Sequence, residues 1–199
     1  TRADKQAELL NYLDDHFVKA KKDVAPLVMC PTEYNRAWSS DKTGYLRTLG
    51  KKLNKSIEVM WTGNSVVHCI DKPSLEWINE RIERKAYIWW NYPVSDFVRD
   101  HLLMGPVYGN GLDIAGDMSA FVSNPMERAE ASKVALYSIA DYTWNMEQYD
   151  SIQSWHRSLM NLLPRQGKQL EVFARHCSDL GQNGHGFRRE ESVEMMPVI

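Results

Sequence analysis

The 199-residue chain is 43% hydrophobic and carries a net charge of −2 with its charges interspersed, which allows one sizeable core and gives no basic footprint for nucleic acid. No apolar run nears the ~18 residues that span a bilayer. The three cysteines, Cys30, Cys69 and Cys177, are odd in number and far apart, so they form neither a metal motif nor a disulfide framework and read as buried free thiols. The chain opens on Thr1 rather than Met, as a processed product or an excised piece would.

Residues 4–21 read as an amphipathic helix with Leu9, Leu10, Leu13 and Phe17 on its inward face. Asp14 and Asp15 fall beside that stripe and read as a solvated acidic pair, with Asp15 one turn from Lys19. Pro26-Leu27-Val28-Met29-Cys30 is a short apolar run and a strand candidate, ending in Pro31-Thr32-Glu33-Tyr34-Asn35. Residues 45–53 read as helix. Ile57-Glu58-Val59-Met60-Trp61 is the next strand, closed by Thr62-Gly63-Asn64. Ser74 caps a helix through Ile82, with Leu75, Ile78 and Ile82 inward.

Ala86-Tyr87-Ile88-Trp89-Trp90 has no alternation and reads as a strand covered on both faces, as parallel sheets require. Polar groups follow at once, Asn91 and Asp96, around a Pro93 that cannot continue a central strand. The Gly-rich residues 102–111 lack the spacing and the Lys-Ser/Thr of a phosphate loop, so they read as a turn cluster. Ala120-Phe121-Val122-Ser123 is the fourth strand, and Asn124-Pro125 ends it before a helix over residues 127–142. Strands then stop. Residues 149–162 and 168–177 read as helices, and the tail from Asp179 is rich in Gly and Asn.

Strand–helix units in series, followed by helices alone, imply an α/β fold with a right-handed parallel sheet. The sheet is either small and open or part of a (β/α)8 barrel, which takes eight strands and ~250 residues. Either way, ligands bind outside the carboxyl ends of the strands, where this chain gathers Trp, Tyr, Asn and Asp. Aromatic faces cover the apolar side of a pyranose, and amides and carboxylates bond its hydroxyls, so these ends read as a sugar site. Cys30 has no basic partner beside it and is no nucleophile by this reading. Glu33 reads as a structural hydrogen-bonding group. His68, His101, His156, His176 and His185 have no mutual spacing that makes a ligand set.

Four motifs stand in order at the strand ends: Met29-Cys30-Pro31-Thr32-Glu33-Tyr34, Met60-Trp61-Thr62-Gly63, Trp89-Trp90-Asn91-Tyr92-Pro93-Val94-Ser95-Asp96 and Ser123-Asn124-Pro125-Met126. Gly184-His185-Gly186-Phe187-Arg188-Arg189-Glu190-Glu191 follows in the tail. In this set the chain resembles glycoside hydrolase family 84, the β-N-acetylglucosaminidases that remove O-linked GlcNAc from protein Ser/Thr, and looks most like bacterial gut-commensal members. The resemblance implies the second half of a (β/α)8 TIM barrel over residues 1–145, about four parallel strands with their helices, and an α-helical extension over residues 146–199.

Carried over, the resemblance places Cys30, Tyr34 and Trp89 around the acetyl methyl and Asn91 near the acetamido group. It also places Asp96 on the 4- and 6-hydroxyls and Asn124 on the hydroxyl edge, with Trp61 at a strand end where it could line the site. It implies no cofactor and no metal, a GlcNAc-bearing glycoside or glycoprotein as partner, and a bacterial periplasm or exterior as compartment. The family's catalytic residues are two adjacent aspartates ending the fourth barrel strand, expected just before Thr1. Asp14-Asp15 lies within the following helix and is not that pair. The chain alone is therefore expected to be inactive without the missing N-terminal half-barrel, and to self-associate through raw strand edges. Two other readings stand beside this one: a non-catalytic GlcNAc-binding or interaction chain, and an independent glycosidase pairing Glu33 with Asp96.

Overall fold

The computed structural model describes residues 1–39, 44–97 and 102–177, and the chain divides into two compact units. Among the described residues, those within 1–66, 70–89 and 116–122 form the first, and those within 67–69, 90–115 and 123–177 the second. The predicted tail from Asp179 lies outside the described residues. Among the described residues, no helix is long and apolar enough to cross a membrane.

Four parallel strands with intervening helices give the α/β architecture expected from the strand–helix alternation. The sheet order is β1 (Val28–Met29), β2 (Glu58–Trp61), β3 (Ala86–Trp90) and β4 (Met118–Ser123). In the first unit, Val28 pairs with Glu58 and Met29 with Val59, while Met60 pairs with Tyr87 and Trp61 with Ile88. Because successive strand residues point to opposite faces, this register puts Met29, Val59, Trp61, Ala86 and Ile88 together on one face, and all are buried. Val28, Glu58, Met60, Tyr87 and Trp89 share the other face, and none of them is buried. The Trp-Trp strand is thus fully buried on one face and half-buried on the other, not fully covered on both as its unbroken apolar run implies. Burial there alternates with the period of the strand.

Helices α1 (Arg2–Leu13), α2 (Tyr45–Lys52) and α3 (Lys72–Ile82) serve the covered face, with α1 packed on α2 and α2 on α3. Asp71, not Ser74, caps α3: its carboxylate accepts the Ser74 N–H at 2.8 Å. Pro73 occupies the first turn, where its missing N–H costs nothing. Ser74 is instead buried and takes a hydrogen bond from Trp61 Nε1 at 3.4 Å. The close approach of α2 to α3 depends on Gly50, because a Cβ there would lie 2.5 Å from the Arg81 carbonyl oxygen and 2.8 Å from Ile82 Cα. Arg84 then locks the α2–β2 connection. Its guanidinium donates to the carbonyls of Gly50, Leu53, Asn54, Ile57 and Ile82 at 2.7 to 3.2 Å.

The first helix differs from its predicted orientation. Ala3, Ala7, Asp14 and Val18 are its buried residues, while Leu9, Leu13 and Phe17 are 59%, 39% and 55% exposed. Small side chains let α1 lie close to α2, and the large apolar ones face outward. A π-helical turn over Asp14–Val18, closed by the Lys19 N–H on the Asp14 carbonyl at 2.9 Å, continues the helix. Asp14 is therefore no solvated surface acid. Its buried carboxylate accepts from Ser56 Oγ at 2.6 Å, Asn54 Nδ2 at 2.8 Å and Lys19 Nζ at 2.9 Å. Asp15 pairs with Lys19 at 2.7 Å, as its spacing predicts.

In the second unit, α4 (Ala129–Trp144) packs on α5 (Ser151–Leu162) and α5 on α6 (Gly167–His176). Met104, Val134, Trp155, Leu159 and Ala174 form the core there. Residues 102–111, read from the sequence as a turn cluster, form an irregular strap built into this core. Trp155 Nε1 donates to the Met104 carbonyl at 2.7 Å, Tyr149 Oη to that of Val107 at 2.7 Å, and Tyr142 Oη to that of Gly111 at 2.6 Å. Side chains thus supply the partners that a sheet or helix would otherwise give a buried backbone. Burial raises both phenols above their ordinary range.

Two outcomes test these packing arguments. Gly50→Ala should destabilise the first unit by about 1–3 kcal/mol in chemical denaturation, because the added methyl meets main chain that cannot move aside. The Asp14 carboxyl is held down at about 2, chiefly by the Ser56 hydroxyl and also by Lys19 and Asn54. Its folded value lies below its unfolded one, so its contribution is complete above the ordinary carboxylate range and disappears as pH falls toward 2. Asp14→Asn should therefore lower stability at neutral pH and flatten the acid limb of the stability–pH curve.

Candidate functional site

The strand tips of the first unit carry an aromatic wall. After β1 the chain passes through Cys30 and Pro31 to Tyr34, then makes a single 3₁₀ turn over Arg36–Trp38. This segment is fastened to the chain following β2. Thr62 N–H donates to the Tyr34 carbonyl at 2.9 Å, Arg36 N–H to that of Gly63 at 3.0 Å and Ala37 N–H to that of Asn64 at 3.0 Å. Gly63 has a φ of +104°, a region that favours glycine, and so turns the β2 end back toward the loop. Asn35 Oδ1 accepts the Trp38 N–H at 3.0 Å and caps the turn.

So held, the Tyr34 ring lies 5.0 Å from Trp38, edge-on at 68°, and 5.5 Å from Trp89, tilted by 32°. Both separations fall in the range where aromatic pairs attract. Tyr34 and Trp89 are half-buried, whereas Trp38 is 57% exposed. Cys30 is exposed at the base of the segment rather than buried. Desolvation still raises its thiol above the ordinary value, so it stays protonated at neutral pH and is a poor nucleophile. Desolvation, and after it the Cys30 sulfur, raises the Tyr34 phenol. Glu33 accepts from Ser39 Oγ at 3.0 Å, the structural role its position predicts.

Trp61 does not line a site. It is fully buried, stacked 5.3 Å from Trp77. As the residue after Met60 in the strand period, it faces the helices. Trp38, by contrast, was not singled out from the sequence. Its signal is an aromatic four residues beyond Tyr34 in a segment too short for a helical core stripe.

The second unit carries an amide pair. Asn91 is buried and Asn124 half-buried, and Asn124 Nδ2 donates to Asn91 Oδ1 at 3.0 Å. Main-chain bonds hold both segments in register: Asn124 N–H donates to the Trp90 carbonyl at 2.9 Å and Val94 N–H to that of Asn124 at 2.8 Å. Ser123 Oγ adds a bond to the Tyr92 carbonyl at 2.6 Å. Asp96 lies exposed beyond this pair. The six residues named from the sequence thus form two groups, Cys30, Tyr34 and Trp89 in the first unit and Asn91, Asp96 and Asn124 in the second.

Four parallel strands with helices between them make this an α/β protein of the kind that resembles (β/α)8 barrels. The chain belongs to the β-N-acetylglucosaminidases of glycoside hydrolase family 84, whose family model matches residues 1–175. The chain is 33% identical over 138 residues to a protein O-GlcNAcase of Rattus norvegicus and 32% identical to that of Mus musculus, spanning 67% of this chain and 14% of each relative. Among solved structures, CpGH84D is similar with a TM-score of 0.87 at 34% identity, covering 98% of this chain and 33% of that one. CpGH84B aligns with a TM-score of 0.84 at 32% identity, covering 89% of this chain and 32% of its own. A mutant O-GlcNAc hydrolase of Thermobaculum terrenum aligns with a TM-score of 0.80 at 30% identity over 88% of this chain and 38% of its own. The chain therefore spans about a third of the solved relatives' length.

The amide pair makes a stability prediction. Asn124→Leu removes the donor to a buried Asn91 oxygen and should cost about 1–3 kcal/mol, measured as a lowered denaturation midpoint of the second unit. An unchanged midpoint would mean the pair contributes nothing to the fold.

Proposed function

We propose that this chain is the second half of the catalytic barrel of a retaining β-N-acetylglucosaminidase that removes terminal GlcNAc, including O-GlcNAc on protein Ser/Thr. In this reading residues 1–145 are barrel and residues 146–199 begin a helical extension. The observation that carries the proposal is the family match over residues 1–175, combined with alignment to a third of CpGH84D at a TM-score of 0.87. The half-bare sheet face and the edge position of β1 agree with it.

The chemistry proposed is substrate-assisted, one of the exceptions to the two-carboxylate scheme. The sugar's own acetamido oxygen attacks the anomeric carbon to give an oxazoline, and a well-placed intramolecular nucleophile has an effective molarity of ~10⁵–10⁸ M. The protein must fold the acetamide over that carbon, hold its N–H with one carboxylate and protonate the leaving oxygen with another. Cys30, Tyr34 and Trp89 wall the acetyl methyl, Asn91 lies near the acetamide, Asp96 bonds the 4- and 6-hydroxyls, and Asn124 meets the hydroxyl edge. The two carboxylates come from adjacent aspartates at the end of the fourth barrel strand, in the N-terminal half of the barrel. By this reading the chain holds the sugar but does not cleave it alone.

A chromogenic GlcNAc β-glycoside tests the division of labour. The chain alone should give no turnover, and addition of the N-terminal half-barrel should restore it. Turnover by the chain alone, abolished in Glu33→Gln, would replace this reading with an independent glycosidase. Sugar binding with no turnover after complementation would replace it with a binding protein. Asp96→Asn should weaken GlcNAc binding by about tenfold or more, since a hydrogen bond to a charged group is lost.

The exposed strip on α1 gives a second expectation. Leu9, Tyr12, Leu13 and Phe17 form an uncovered apolar face, with Val28 42% exposed on edge strand β1. Such faces and edges drive association. The isolated chain should sediment as concentration-dependent oligomers, and Leu9→Lys with Phe17→Lys should shift it toward monomer.

A further inference from the structure

The second unit holds a cavity of about 180 Å³ that the proposed sugar chemistry does not use. The strap forms one side with Val107, Tyr108 and Asn110, and the junction of α4 with α5 forms the other with Tyr142, Tyr149 and Ser151. Leu112, also in the lining, is 45% exposed, so the cavity opens to solvent. An engineered apolar cavity of about 150 Å³ takes a benzene ring, so this one has room for a single compact group. Its walls are tied in place. Tyr149 Oη donates to the Val107 carbonyl at 2.7 Å and Tyr142 Oη to that of Gly111 at 2.6 Å. Gly109, at a φ of +96°, backs onto Cys69, whose sulfur lies 2.5 Å from where a Cβ would stand. Walls already fixed lose little freedom when the site is filled.

What those walls offer is ring surface. The hydroxyls of Tyr142 and Tyr149 serve the main chain, and their rings stand 5.3 Å apart at 77°, as adjacent and nearly perpendicular walls. Tyr108 adds a third ring. Among the described residues no charged side chain lines the cavity, yet acids act on it from outside. Burial is the chief cause of the raised phenols, and Asp113 adds to it at Tyr142, as Asp141 and Asp150 do at Tyr149. Arg157 pairs with Asp141 and acts on Asp150, which offsets part of this negative charge. The N-terminus of α5, positive by its dipole, is met by Asp150, whose carboxylate accepts the Gln153 N–H at 2.9 Å. Negative ring faces in a negative surround disfavour an anion and attract a cation. A primary ammonium would bring three N–H donors into a wall of rings. A quaternary ammonium brings none.

We propose that this cavity is an aromatic cage for a quaternary ammonium group, of the kind carried by choline or by a trimethylated lysine side chain. The faces of Tyr108, Tyr142 and Tyr149 receive the methyl groups, and the carboxylates outside the rings favour the charge. Neither part of this depends on the sugar-site reading above.

Ligand-observed NMR on the 199-residue chain tests this with choline and its neutral isostere 3,3-dimethylbutan-1-ol, which differ in charge and hardly in shape. Choline should bind about fivefold tighter than the isostere or better. Tyr108→Leu should remove most of that preference, and Tyr108→Phe should keep it. Asp113 is exposed, and Asp113→Asn should weaken choline about twofold to threefold while leaving the isostere unchanged. If Tyr108→Leu fails to fold, Leu112→Arg takes its place, with the same loss of choline expected because a cation then stands at the opening. The amide of N-acetyl-trimethyllysine distinguishes the source of the ligand. Binding equal to that of choline marks a methylated protein, choline alone marks a free base, and both uphold the cage. Equal binding of choline and its isostere, no binding of choline at millimolar concentration, or an unchanged choline preference in Tyr108→Leu or its substitute overturns it.

Discussion

The opposite pointing of neighbouring residues on a parallel strand is the constraint from which the rest of this protein's layout follows. In β3 it separates two adjacent tryptophans into different roles. Trp90 is fully buried and donates its indole N–H to the His68 carbonyl at 3.0 Å. Trp89, one residue earlier, turns to the half-bare face and meets Tyr34. The same rule sends Trp61 into the helices and leaves Met60 on Trp89's face, because Met60 pairs with Tyr87. Residue type alone does not divide structural from surface-facing aromatics here; strand parity does.

Beyond the strand ends, main-chain hydrogen bonds take over from secondary structure. The loop after β1 has its polar backbone satisfied by the loop after β2, through Thr62, Gly63 and Asn64. Buried backbone groups need partners, and in this chain those partners come from neighbouring strand ends. That arrangement lets exposed or half-exposed rings such as Trp38 and Tyr34 hold fixed positions without a helix beneath them. In the second unit the same requirement is met differently, by Trp and Tyr side chains that cap the carbonyls of the irregular strap over residues 102–111.

Close approach of layers rests on small or precisely shaped contacts. Gly50 lets α2 meet α3 through bare backbone, and Ala3 and Ala7 do the same service for α1. The buried Asp14 carboxylate has three donors around one oxygen, which offsets part of the loss of hydration, while its other oxygen is buried without a hydrogen-bond partner.

The sequence by itself determined the element types and their order: the apolar runs that became strands, the helices between them, and the gathering of Tyr, Trp, Asn and Asp at strand ends. Those features are local, set by period and by turn residues, so a single chain states them. It also carried the family likeness, because motif residues cluster at consecutive strand ends. Tertiary structure alone decided which face each element presents. Leu9, Leu13 and Phe17 identify an apolar helix face but not what covers it, and the covering side of α1 went to Ala3 and Ala7, whose small size makes close packing possible. Likewise Asp14 reads as a surface acid until Ser56 and Asn54, some forty residues away, bring their hydrogen bonds. Burial is a property of neighbours distant in sequence, and no local pattern encodes them.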